Sequence, residues 1–107
     1  MNKFNAVRTY SKICDRTFAS KSEAHRGEEL AILERAGAIS DLQYQVKFVL
    51  SESPKVTITI DFSYWERLNR TDGKRVYEDS KGVLTRDFRT KMSWLRQAQG
   101  IEVRLTK

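Results

Sequence analysis

The sequence predicts a single α/β domain in which a mixed sheet is flanked by helices. Three observations indicate this fold: a helical segment with clear end signals, three consecutive strand patterns after it, and a second helix followed by one more strand pattern. A chain of 107 residues has the size of one domain. Three strands joined by short turns, then a strand-helix-strand connection, imply antiparallel pairing followed by a parallel, right-handed crossover.

The first helix is predicted from its two ends. Ser20 and Glu23 fit the capping box S-x-x-E, and Gly37 is placed to end a helix that runs to about Ala36. The preceding residues have weak apolar periodicity and more basic than acidic side chains. We therefore predict a basic N-terminal arm over residues 1–19 and one domain over residues 20–107.

Two strands follow, over residues 44–50 and 56–65, joined by a turn at 51–55. The second has the strongest apolar alternation in the chain and predicts a single buried face. That face would carry Val56, Ile58, Ile60, Phe62 and Tyr64. A polar hairpin loop then leads into a third strand over about 75–81.

The second helix is also defined by its ends. Gly82 is expected to end the third strand, Thr85 is a predicted N-cap, and Gly100 stops the helix. Its spacing of apolar residues predicts a buried stripe of Phe88, Met92 and Leu95. Alternation then predicts the last strand, with Ile101, Val103 and Leu105 on one face.

Composition narrows the range of functions. The formal net charge of +6 and the isoelectric point of about 9.7 suit a polyanionic partner. No apolar run approaches the roughly 20 residues of a membrane span, so we expect no membrane association. Cys14 and His25 are each single, which excludes Cys-based zinc cages and internal disulfides. We expect a reducing, cytoplasmic setting.

Three residues on the second and third strands carry the candidate chemistry. Asp79 and Lys81 are two apart, so both point to one side of the sheet, and pairing of the two strands would bring Asp61 beside Asp79. Adjacent carboxylates repel each other, and a divalent cation such as Mg²⁺ removes that cost. The alternative is a solvated sheet face with a cross-strand ion pair.

These residues resemble a known signature. Asp61 followed by Asp79-Ser80-Lys81 is similar to the D…(D/E)xK motif of the PD-(D/E)xK nuclease superfamily, which includes restriction enzymes and Holliday junction resolvases. Segments 20–23, 30–37, 60–64 and 78–85 resemble a family of small phage proteins of that superfamily, and the similarity covers about residues 16–107. It implies a restriction-endonuclease-like core in the order α-β-β-β-α-β. Ile60 replaces the motif's proline, and Asp79 replaces the more frequent glutamate.

The resemblance also implies residue roles. Mg²⁺, with Mn²⁺ as a substitute, would be held by Asp61, Asp79, Glu23 and the backbone carbonyl of Ser80, with Lys81 beside the attacking water. The alternative for Glu23 is a purely capping role. Nucleic-acid contacts are expected from a basic stripe on the second helix and from polar residues near the site: Arg86, Arg89, Lys91, Arg96, Arg16, Lys21 and Gln45. The alternative for the stripe is a solvated helix face.

The function implied is a Mg²⁺-dependent endodeoxyribonuclease that selects branched DNA, such as a Holliday junction, by its shape. Cutting two strands would need a homodimer, and a phage-encoded member would act in the host cytoplasm. A DNA-binding or recombination accessory protein with the same fold but no activity stays open. A ribonuclease of the same chemistry is a third reading.

Overall fold

The computed structural model describes residues 7–81 and 83–106, and its centre is a four-stranded mixed sheet with two helices packed on it. The elements in chain order are β1 (Thr9–Ser11), β2 (Arg16–Phe18), α1 (Lys21–Arg35), β3 (Ile39–Glu52), β4 (Lys55–Arg67), β5 (Gly73–Ser80), α2 (Arg86–Gln99) and β6 (Val103–Thr106). The sheet order is β3-β4-β5-β6, in which the first three strands are antiparallel and β6 is parallel to β5.

The predicted α/β class and mixed sheet are confirmed, but the predicted element order is incomplete because β1 and β2 precede the first helix. The first two strands of the main sheet, β3 and β4, also extend beyond their predicted limits. Three features of the sequence prediction lie outside the described residues: residues 1–6 of the basic arm, Gly82 and Lys107.

Local signals set the ends of both helices. The Oγ atom of Ser20 accepts a hydrogen bond from the backbone N–H of Glu23 at 3.1 Å, and Thr85 caps α2 in the same way. Gly37 and Gly100 follow the two helices with φ values of 83° and 71°. Glycine reaches this left-handed conformation at little cost, so the predicted caps and stops are confirmed.

The segment predicted as a basic arm contains a small antiparallel hairpin, formed by β1 and β2. The Oγ atom of Ser11 donates a hydrogen bond to Glu28 of α1 at 2.7 Å, and Phe18 is buried against Gly27 of the same helix. Each strand has three residues, which is too short to produce a recognisable alternation. The hairpin is therefore defined by its packing on α1 rather than by a local pattern.

The apolar stripe of β4 does not form the single face that alternation predicted. Phe62 and Tyr64 pack in a cluster with α1 and β2, whereas Ile58 and Ile60 pack in a second cluster with α2. The division between the two clusters falls at Asp61. Opposite Asp61 on the paired strand β3, Gln45 has a positive φ of 52°. The candidate site consequently lies where the two halves of the core meet.

Gly27→Ala tests how closely the hairpin approaches α1. A Cβ atom at this position would lie 2.7 Å from the ring of Phe18, which is buried. Alanine favours the helix by about 1 kcal/mol, but overpacking costs about 1–3 kcal/mol. We expect a net loss of about 1 kcal/mol in the free energy of unfolding, measured by urea denaturation. The loss should shrink in a Phe18→Leu background; equal losses in both backgrounds would contradict the contact.

Candidate functional site

Two carboxylates face each other across β4 and β5. The strand register pairs Phe62 with Glu78, which sets Asp61 opposite Asp79 one step further along. The backbone N–H of Asp61 donates to Oδ2 of Asp79 at 3.0 Å, and the N–H of Ser80 donates to Oδ2 of Asp61 at 3.0 Å. Both carboxylates are buried, and each is held by an amide of the opposite strand. The predicted adjacency of the two aspartates is therefore present in the structure.

Gln45 connects this pair to helix α1. Its side-chain Nε2 donates to Oε2 of Glu23 at 3.1 Å and lies 3.4 Å from Oδ1 of Asp61. The backbone N–H of Glu23 takes part in the helix cap at Ser20, while its buried carboxylate faces Gln45. Ser20 thus caps the backbone of Glu23, but the Glu23 carboxylate faces Gln45 instead of completing the capping box, and its role as a metal ligand stays a prediction.

Lys81 completes the cluster from the end of β5. Its Nζ atom lies 3.2 Å from Oδ1 of Asp79 and 4.2 Å from the ring centre of Phe88 in α2. Despite this ion pair, Oδ1 of Asp79 is fully buried and has no well-aligned hydrogen-bond donor. The Lys81 ammonium is therefore the group that offsets the charge on this buried carboxylate oxygen.

Burial and mutual repulsion make the cluster costly to ionise. Burial, followed by the charges of Asp61 and Asp79, raises the pKa of Glu23 to about 7. Burial and then the charge of Asp61 raise the pKa of Asp79 to about 7, although Lys81 opposes this shift. Burial also raises the pKa of Asp61. The site therefore holds negative charge that a bound cation would stabilise.

The carboxylate pair fits a Mg²⁺ ion better than the predicted set of three carboxylates does. Within residues 7–81 and 83–106, no group of three or more His, Cys, Asp or Glu side chains has the arrangement of a metal site. Mg²⁺ is commonly held by one or two carboxylates with water and phosphate oxygens. Asp61 and Asp79 provide such a pair, and Oδ1 of Asp79, which accepts no well-aligned hydrogen bond, would be one ligand. Ligation by Glu23 and by the Ser80 carbonyl stays a prediction.

The predicted nucleic-acid-binding residues fall into three groups. The first group is exposed: it comprises three arginines of α2, Lys21 at the start of α1 and Gln45 on β3. The arginines are Arg86, Arg89 and Arg96. Lys91 instead pairs with Asp87 at 3.2 Å one turn away, so its charge is partly engaged. Arg16 lies over the ring of Tyr44, with 4.2 Å from its guanidinium carbon to the ring centre. Burial and the charges of Asp61 and Asp79 raise the pKa of Glu23, and the positive charge of Arg16 offsets a smaller part of that increase.

A buried network beside the site was not predicted from the sequence. Glu78 is fully buried, and its carboxylate accepts two hydrogen bonds from Arg26 of α1, at 2.6 and 3.0 Å. The hydroxyl of Tyr64 donates a third, at 2.6 Å. This hydrogen bonding to Glu78 raises the pKa of Arg26. The network ties α1, which carries Glu23, to the strand that carries Asp79. In the sequence, strand alternation places the side chain of Glu78 on the side of the sheet opposite to Asp79, but it does not identify a partner for this acid.

The fold and this cluster together define an α/β protein that presents a buried pair of aspartates with a lysine beside them. The chain belongs to the family described as "Protein of unknown function (DUF1064)", whose model matches residues 1–107. Neither the curated proteins nor the solved structures gave a match. Among the described residues, no helix is long and apolar enough to cross a membrane.

Proposed function

We propose that this chain is a metal-dependent DNA endonuclease of the PD-(D/E)xK type. The observation that carries the proposal is the cross-strand pair of Asp61 and Asp79, with the Nζ atom of Lys81 at 3.2 Å from Oδ1 of Asp79. The element order from α1 to β6 is the order that the sequence resemblance implies, which supports the finer assignment of a restriction-endonuclease-like core.

Each residue of the cluster has a role in this chemistry. Asp61 and Asp79 would hold Mg²⁺, which when bound supplies a Lewis acid for the phosphate and acidifies a water molecule. The ammonium group of Lys81 stabilises negative charge that develops on the phosphate during attack. Gln45 fixes the carboxylate of Glu23 next to Asp61, so that this third acid can orient water or accept a proton. The aromatic ring of Phe88 limits the positions that the Lys81 side chain can adopt.

The charge distribution supports a nucleic acid as the substrate class, and the sequence resemblance favours DNA. The net charge is +6, and the exposed residues Arg86, Arg89 and Arg96 lie on α2, the helix that also contacts Lys81 through Phe88. Arginines on that helix would contact the phosphate backbone beside the cut. A short chain with its helices committed to the core has little surface for base-specific contacts. Branched DNA, cut by a homodimer with two sites, is the substrate we favour.

The second candidate is a DNA-binding accessory protein that lacks catalysis. The contact that favours it is the hydrogen bond from Gln45 to the Glu23 carboxylate. Among the described residues, Glu23 does not form a three-carboxylate metal site with Asp61 and Asp79. Such a protein would bind DNA in a salt-sensitive way but would show no metal-dependent turnover.

The decisive experiment is digestion of DNA by the purified protein. Four-way junctions, linear duplex of the same sequence and a matched RNA are each incubated with Mg²⁺, Mn²⁺ or EDTA. We expect cleavage of DNA that requires metal and is faster for the junction than for the duplex. Binding without cleavage in both metals would support the accessory protein instead, and cleavage of RNA alone would assign a ribonuclease. A protein that neither binds nor cuts these substrates would contradict the proposal.

A further inference from the structure

The outer side of the β1–β2 hairpin exposes apolar side chains between basic ones. Tyr10 is 59% exposed and Ile13 is 44% exposed, although both are large and hydrophobic. The surrounding segment, residues 7–18, carries three cations and one acid: Arg8, Lys12 and Arg16 against Asp15. Exposed apolar groups interleaved with positive charge are typical of surfaces that bind single-stranded nucleic acid.

The tyrosine ring is held in place although it is exposed. The hydroxyl of Tyr10 donates a hydrogen bond to Oδ1 of Asp15 at 2.6 Å across the hairpin turn. The opposite side of the hairpin is fixed to α1 by the Ser11–Glu28 hydrogen bond and by the buried ring of Phe18. A ring held in this way loses little conformational freedom when a ligand stacks on it.

The hairpin also packs on α1 and β3, the two elements that carry Glu23 and Gln45. Arg16 directly follows Asp15, and its guanidinium lies over Tyr44, the residue next to Gln45. These contacts are the structural link between the hairpin and the elements that form the carboxylate site.

We propose that this hairpin binds unpaired bases next to the scissile phosphate, with a base stacked on Tyr10 and supported by Ile13. The inference rests on the proposed function, since it assumes that DNA is the substrate, and it narrows that substrate to DNA with unpaired bases beside the cut. Every base has a π face, so stacking on a tyrosine needs no particular sequence. Arg8, Lys12 and Arg16 match the negative charge of the adjoining phosphates.

The test compares two DNA probes in EDTA, so that neither is cut. Fluorescence anisotropy is measured with a fluorescein-labelled fork that has unpaired arms and with a fully paired duplex of equal length. We expect the parent to bind the fork more tightly than the duplex. Tyr10→Ala should weaken fork binding by roughly 5- to 150-fold, the range for loss of one stacked base, and should leave duplex binding within about twofold. Tyr10→Phe, which keeps the ring, should lose much less.

Leu68→Ala is the matched control, because Leu68 is also 59% exposed but lies in the loop between β4 and β5. It should bind both probes as the parent does. Equal losses on fork and duplex, or no loss for Tyr10→Ala, would overturn the hairpin inference and leave the exposed ring to a partner other than DNA. These results are separate from catalysis: cleavage with Mg²⁺ but no effect of Tyr10→Ala contradicts only the hairpin, whereas selective fork binding without cleavage contradicts only the nuclease.

Discussion

Asp79→Asn is expected to lower metal-dependent DNA cleavage by on the order of 10³-fold while stabilising the metal-free protein at pH 8. The rate falls because the amide keeps the shape of the side chain but provides a poorer ligand, and a bound metal contributes several kcal/mol to catalysis. Stability rises because the charged form of Asp79 is buried beside Asp61, whereas a neutral amide avoids both desolvation and repulsion.

The direction of the stability change follows from the difference between the pKa of Asp79 in the folded protein and its ordinary value. The pKa of Asp79 is about 7 in the folded protein against an ordinary value of 3.8, mainly because of burial. A pKa raised by folding contributes stability that is complete below about pH 4 and is lost as the pH rises through 7. The metal-free parent should therefore lose stability between pH 4 and pH 8. Asp79→Asn should lose less, with the remaining decrease due to Glu23, whose pKa is also about 7, and to Asp61, whose pKa is also raised.

Thermal unfolding followed by circular dichroism at several pH values measures this difference, and Mn²⁺ titration at pH 8 measures the loss of binding. Asp72→Asn, which removes an exposed acid in the β4–β5 loop, is the matched control and should change neither cleavage nor the pH profile. Wild-type cleavage by Asp79→Asn would exclude the aspartate pair from catalysis. Parallel pH profiles for parent and variant would show that ionising Asp79 costs no stability.

The parts of the fold that were predictable depend on neighbouring residues in the chain. Ser20, Gly37, Thr85 and Gly100 determine helix ends within one turn, so their sequence context is sufficient. The adjacency of the aspartate pair could also be predicted, since strand alternation and a simple hairpin connection place Asp61 opposite Asp79.

The features that could not be predicted depend on how distant elements pack. β1 and β2 are three residues long, form no hydrogen-bonded pairing with the main sheet, and are held by side-chain packing on α1 and on that sheet. The change of core cluster at Asp61 follows from the course of the long β3–β4 hairpin between two helices. Likewise, the contact of Arg26 with Glu78 joins residues 52 positions apart, and only the placement of α1 against β5 creates it. The charge of Glu78 and its position in the sequence do not identify Arg26 as its partner.

Arg26→Ala is expected to destabilise the protein by about 3–5 kcal/mol. Glu78 is fully buried and takes both of its charge-assisted hydrogen bonds from Arg26, so the substitution leaves an uncompensated carboxylate that has only the hydroxyl of Tyr64. For a domain of this size the midpoint of thermal unfolding should fall by roughly 10–20 °C. Because α1 also carries Glu23, the variants that still fold should bind Mn²⁺ more weakly as the helix loses its attachment to β5.

Two comparisons separate this buried pair from an ordinary surface ion pair. Arg104→Ala removes the partner of Glu66, and these side chains are 40% and 30% exposed, so it should cost only about 0–1 kcal/mol. The double variant Arg26→Met with Glu78→Gln removes both charges and should be more stable than Arg26→Ala, since no buried charge is left unpaired. If Arg26→Ala costs no more than Arg104→Ala, the ion pair does not fasten α1 to the strand that carries Asp79, and the position of Glu23 must depend on its contact with Gln45 instead.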